Sequence, residues 1–146
     1  YKRQPDDLII KKNCSKSMIN VHQKYKSSVM ASMQVNKSTV SRWGIYNLSK
    51  RLSKSDYLIS DVVEKPSIKD APSNKAVIGR YILPKTIFKK LKNQNSVNGG
   101  EIHITDAIQS LIKDNENFIA HNFSGKYLDC GTMNGYINSG KKMNNL

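Results

Sequence analysis

Leu58 to Val63 is an apolar, β-branched run that meets Pro66, and this strand with a hard stop constrains the fold more than any other feature of the 146-residue chain. Proline lacks the N–H that a central ladder needs, so the strand must end and Glu64 and Lys65 fall at its C-terminal tip. Open α/β sheets contact their ligands at such tips. Ala76 to Leu83 reads as a second apolar strand, and Gly79 within it lets a backbone or a ligand come close.

Helical periods alternate with these strands. Asn13 or Ser15 is placed to cap a helix whose Met18, Val21 and Tyr25 form one apolar stripe. Val29, Ala31, Met33 and Val35 then alternate as a strand does. Pro84 suits the first turn of a helix carrying Ile87, Phe88 and Leu91 on one face and Lys85, Lys89 and Lys92 outward, and Asn98-Gly99-Gly100 breaks it. A further helix begins near Thr105, with Asp106 favoured by the dipole and Ile104, Ile108, Leu111 and Ile112 inward. Trp43-Gly44-Ile45-Tyr46 reads as a short strand, Phe118 to Phe123 as a strand that Gly125 turns, and Met133 to Leu146 as weakly helical. No repeat, low-complexity linker or firm boundary divides the chain, so residues 1–146 read as a single α/β domain.

The formal net charge of +13 raises a nucleic-acid-binding role. The cations are scattered from Lys2 to Lys142 with no arginine-rich block, and the aromatics do not interleave with them as a stacking platform would. A solvated lysine surface is the simpler reading, which leaves a basic nucleic-acid-binding module as the third choice of function. Cys14 and Cys130 lie far apart without a Cys-x-x-Cys spacing, and His22, His103 and His121 are isolated in sequence, so zinc and redox motifs are unsupported. No apolar run is long enough for a bilayer and no secretion signal is visible, so a cytoplasmic protein without a membrane partner is expected.

Four blocks then follow in order: Asp61-Val62-Val63-Glu64-Lys65-Pro66, Ile78-Gly79-Arg80-Tyr81, Gly99-Gly100-Glu101 with Ile102-His103-Ile104-Thr105-Asp106-Ala107-Ile108, and Tyr127-Leu128-Asp129-Cys130-Gly131. In that order and spacing the chain resembles the C-terminal half of bacterial UTP-glucose-1-phosphate uridylyltransferases. The match reaches upstream through Trp43-Gly44-Ile45 and Pro5-Asp6-Asp7. The resemblance implies a partial Rossmann-like nucleotidyltransferase fold, a mixed sheet flanked by helices, with the N-terminal nucleotide-binding half missing, because no Gly-x-Gly-Thr-Arg-like run is present.

The chemistry implied is uridylyl transfer from UTP to glucose 1-phosphate, giving UDP-glucose and pyrophosphate, with Mg2+ as cofactor. An already ionised phosphate oxygen attacks the α-phosphorus, so the protein's work is positioning and charge neutralisation. By resemblance, Asp129 and Asp6 are the metal aspartates, Glu64 accepts sugar hydroxyls, and Lys65 is the cation on the glucose phosphate. Asp129 and Lys65 are the expected catalytic pair. Gly44 lies with its backbone against the sugar, Gly79 and Tyr81 wall its pocket, and Glu101, Thr105 and Asp106 are structural. Tyr1-Lys2-Arg3-Gln4 departs from the family, which has an apolar strand there. The truncated chain is expected to belong to a larger enzyme of UDP-glucose biosynthesis and to be inactive alone. The alternative is a non-catalytic remnant or interaction subunit. A homo-oligomer or a complementing N-terminal segment completes the expected partners.

Overall fold

A computed structural model of the protein describes residues 7–94 and 102–144, so the expectations on Asp6 and on Gly99-Gly100-Glu101 fall outside the described residues. Along the chain run β1 (Asp7–Ile10), α1 (Cys14–Tyr25), β2 (Ser28–Gln34), a 3-10 turn (Lys37–Arg42), β3 (Gly44–Arg51), β4 (Asp56–Glu64) and β5 (Lys75–Ile82). They are followed by α2 (Thr86–Lys92), α3 (Ile104–Lys113), β6 (Phe118–Asn122), β7 (Lys126–Asp129) and α4 (Met133–Met143). The strand ahead of Pro66 ends at Glu64, as a residue without a donor requires.

The main sheet is mixed, and its pairing closes on itself in the order β2-β5-β3-β4-β6. β2 runs parallel to β6 from Ser28 opposite Phe118 to Ser32 opposite Asn122, while its other neighbour, β5, is antiparallel. β3 with β4 and β4 with β6 are antiparallel as well. β1 and β7 form a separate antiparallel pair.

Strand alternation sends side chains to two cores. Val29, Ala31, Ile78 and Ile119 are buried against Cys14, Met18 and Val21 of α1. Met30, Tyr46, Val62, Phe118 and Ala120 face the other way and pack with Ile87 of α2 and Ala107, Ile108 and Leu111 of α3. Burying each large side chain of this kind contributes about 1.5–3 kcal/mol. Helices therefore flank the sheet on both faces. Asn13 caps α1, its Oδ1 accepting the Lys16 N–H at 2.9 Å, and Lys26 ends the helix in the left-handed region at φ 52°.

One expectation needs correction. Phe88 was assigned to the inner face of α2, yet it is 72% exposed while Ile87 beside it is 3% exposed. Adjacent helical residues point about 100° apart, and in so short a helix Ile87 and the partly buried Leu91 fill the inner face. His121, isolated in sequence, is buried with its Nδ1 2.7 Å from Asp56 Oδ1 and its Nε2 3.1 Å from Ser17 Oγ. It ties β6 to β4 and α1. No helix among the described residues is long and apolar enough to cross a membrane.

Candidate functional site

Where β3 begins and β4 ends, Gly44 and Glu64 are register partners. Beyond Glu64 the chain turns through Lys65, whose backbone is left-handed at φ 45° and whose N–H donates to the Trp43 carbonyl at 3.0 Å. A Cβ at residue 44 would stand 2.9 Å from Glu64 Oε2 and 3.2 Å from Val77 Cγ2. Glycine thus leaves room for the Glu64 carboxylate to lie across the strand end.

A cleft of about 290 Å3 opens there, between Arg42, Trp43, Gly44 and Glu64 on one side and Val77 and Tyr81 of β5 on another. His103, Ile104 and Thr105, at the start of α3, close it. This volume suits one sugar ring rather than a whole nucleotide sugar. Among the described residues the buried Thr105 hydroxyl has no hydrogen-bond partner, an open position for a ligand hydroxyl. Burial first, then the Glu64 and Asp7 carboxylates, push the Tyr81 phenol up to about 12, so it stays a donor at neutral pH.

Beside this cleft, Asp7 and Asp129 are register partners across the β1-β7 pair. Directly opposed residues of an antiparallel pair project to one face. Asp129 Oδ1 accepts the Gly131 N–H at 3.0 Å, and Arg42 Nη2 lies 3.6 Å from Oδ2. Arg80 Nη2 lies 2.8 Å from Asp7 Oδ1, but that buried oxygen receives no aligned hydrogen bond from the described residues and keeps acceptor capacity. Two residues along β7, opposite Ile9, the Tyr127 phenol is raised to about 12 by burial first and then by Asp7 and Asp129. Its ring meets Trp43 edge-on at 5.7 Å, which joins the carboxylate pair to the cleft wall.

Two hard carboxylates on adjacent strands, one with a buried under-used oxygen, fit Mg2+, which takes one or two protein carboxylates and otherwise water or substrate phosphates. Among the described residues no group of three or more His, Cys, Asp or Glu could hold a metal through the protein alone.

The nucleotidyl transferase family profile matches residues 4–145. The chain belongs to that family. The chain is 41% identical over 120 residues to the UTP-glucose-1-phosphate uridylyltransferase of Pseudomonas aeruginosa, covering 82% of the chain and 42% of the relative. A putative enzyme of the same name from Methanocaldococcus jannaschii is 37% identical over 131 residues, covering 90% of the chain and 46% of the relative. Among solved structures, a UDP-glucose pyrophosphorylase in complex with UDP-glucose superposes with a TM-score of 0.87 at 40% identity, covering 96% of the chain and 53% of that protein. The chain spans about half the length of the relatives it matches.

Gly44, Glu64 and Tyr81 come together in the cleft, and Thr105, read from sequence as structural, lines it too. Lys65 is exposed at the turn beside it and is not among the lining residues. Gly79 sits on β5 away from the lining, where a Cβ would be 3.9 Å from Asp7 Oδ2, so the group that approaches it is Asp7. Asp129 is not among the lining residues and meets the cleft through Arg42, with the Tyr127–Trp43 ring contact beside it. Sequence reasoning missed Arg42 and Gly135. A Cβ at Gly135 would lie 2.6 Å from the Asp129 carbonyl, so this glycine lets α4 close over the strand end. The spacing Thr132-x-x-Gly135, in which the threonine hydroxyl caps the glycine N–H at 3.0 Å, was a readable signal for it.

Proposed function

We propose that this chain forms the sugar-phosphate side of a UTP-glucose-1-phosphate uridylyltransferase. The observation that carries the reading is the cleft shared by Gly44, Glu64, Tyr81 and Thr105, bridged through Arg42 to Asp129. Glucose 1-phosphate would seat its ring there, with Glu64 accepting sugar hydroxyls, Tyr81 donating to the sugar and the Thr105 hydroxyl bonding a sugar hydroxyl. Lys65 would steer the phosphate from the rim.

Held with its oxygen toward the α-phosphorus of UTP, the sugar phosphate attacks in line, the new P–O bond forms, and the bond to pyrophosphate breaks. Asp129, with Asp7 opposite it and Asp6 as the aspartate indicated by resemblance, would hold Mg2+. When bound, that ion neutralises the charge gathering on the transferred phosphoryl group. Orientation of the sugar phosphate remains the task of the chain's own residues.

Titration calorimetry of the 146-residue chain with glucose 1-phosphate tests this reading. We expect a dissociation constant on the order of 1 mM or tighter, abolished by Glu64→Ala. The absence of any heat for the wild-type chain refutes it.

A second reading, a subunit that needs further polypeptide to catalyse, is favoured by two observations. The chain spans about half of its relatives, and α4 leaves Met133, Tyr136 and Ile137, on one helical face, exposed by 75%, 66% and 47%. Co-expression with the unmatched half of the P. aeruginosa relative should then yield UDP-glucose formation that neither piece gives alone.

A further inference from the structure

Two arginines sit beside the two opposed carboxylates, and they are held very differently. Arg80 lies 2.8 Å from Asp7 and donates further to the carbonyls of Asp7 at 3.3 Å and Gly79 at 3.1 Å, so it is fixed on three sides. Arg42 lies 3.6 Å from Asp129, beyond hydrogen-bonding range, and its side chain is 61% exposed. It is also a cleft-lining residue, carried at the end of the 3-10 turn directly ahead of Trp43 and Gly44. One guanidinium therefore borders both the sugar cleft and the aspartate.

We propose that Arg42 binds the phosphate of the sugar phosphate, and that until it does so it occupies Asp129 and opposes entry of the divalent cation. The inference rests on the sugar-phosphate reading above. A planar guanidinium offers paired donors that match phosphate oxygens, and a dianionic phosphate attracts it more strongly than one half-exposed carboxylate does. A cation beside Asp129 Oδ2 competes with a metal ion for the same oxygen, because both need its negative charge. Sugar phosphate arriving in the cleft would draw Arg42 off and free Asp129. Substrate and metal then bind in an order, and each favours the other by the same factor, as linkage requires.

The test is one substitution with two opposite readouts. Mn2+ binding to the 146-residue chain is followed by water-proton relaxation, with Asp129→Asn to identify the site, and glucose 1-phosphate binding by calorimetry without metal. Arg42→Gln should tighten Mn2+ by about two- to fivefold, the factor an exposed ion pair is worth. The same variant should weaken glucose 1-phosphate by about tenfold and leave the binding of uncharged glucose unchanged. Arg42→Lys should fall between, since it keeps charge but loses the fork. A circular-dichroism melt checks that the variants fold.

If Arg42→Gln leaves Mn2+ affinity unchanged, weakens both ligands together, or spares the sugar phosphate, the proposal is overturned while the sugar-phosphate reading stands. If the wild-type chain binds neither glucose 1-phosphate nor Mn2+, the functional reading fails and the proposal with it.

Discussion

Gly44 and Glu64 face each other as register partners, and the Glu64 carboxylate lies where a side chain on residue 44 would need to stand, 2.9 Å from the position of a Cβ. Gly44→Ala should therefore displace a flexible carboxylate and leave the strand intact. Alanine is favoured over glycine within a strand by about 0.5–1 kcal/mol, so urea denaturation should show unchanged or slightly raised stability. Glucose 1-phosphate affinity should fall by about tenfold. Loss of stability in place of affinity would assign Gly44 to packing alone.

Lys65 holds a left-handed backbone at φ 45°, which costs a non-glycine residue about 1–2 kcal/mol. Lys65→Gly relieves that strain but adds chain entropy to the unfolded state, so stability should lie between no change and a gain of about 1 kcal/mol. If the ammonium meets the sugar phosphate, the same variant binds glucose 1-phosphate more weakly while glucose binding is unaltered. Equal affinity of variant and wild type for the phosphate ester returns Lys65 to the solvated surface.

Thr105→Val keeps the shape of the cleft and removes a buried hydroxyl that has no partner among the described residues. Thermal stability should hold or rise. Calorimetry should record a loss in glucose 1-phosphate affinity of about two- to tenfold, the net worth of one neutral hydrogen bond.

Alkaline pH should unfold the protein through its phenols. Tyr81 and Tyr127 are raised from 10.0 to about 12, chiefly by burial. Their folded-state values exceed the unfolded one, so their contribution is complete below about pH 10 and is lost as pH rises through about 12. Denaturation midpoints measured across this interval should decline. Tyr81→Phe, which removes the titrating group and keeps the ring, should flatten the decline, and an equally steep fall in that variant would sink the assignment.

His121→Ala strips the Asp56 carboxylate of its buried partner and leaves it the Ser53 hydroxyl at 2.7 Å and the Tyr25 hydroxyl at 3.5 Å. Breaking such a pair from one side should cost about 3 kcal/mol, read from urea denaturation. Asp56→Asn with His121 retained should cost less, because an amide can still accept from the ring.

Much of this architecture was legible from the sequence because it rests on local rules. Pro66 fixed the end of β4, Asn13 or Ser15 marked the start of α1, of which Asn13 is the cap, and the stripe of Ile108 and Leu111 gave the buried face of α3. Long-range pairing was not legible. Nothing in Ser28 to Ser32 or in Phe118 to Asn122 announces a parallel ladder between them, since parallel pairing depends on the whole crossover and not on either strand. Phe88 was misplaced because periodicity in a helix of two turns does not decide which of two adjacent apolar residues faces inward. At the site, the family resemblance carried by the ordered blocks brought Gly44, Glu64 and Asp129 into view, whereas Arg42 belongs to no pattern of its own and is identified only by where its side chain ends. His121 and Asp56 stayed hidden for the same reason.

The pairing of Asp7 with Asp129 draws the two carboxylates from near opposite ends of the chain. During synthesis the first of them leaves the ribosome long before its partner exists, and α1 and the β3-β4 hairpin lie wholly within the segment made between the two. Closing so long a loop is costly until the intervening elements have packed and shortened the search. The carboxylate pair therefore forms only once β7 has been made, and a nascent chain stalled before Lys126 can already hold its hairpin while carrying one of the two opposed carboxylates.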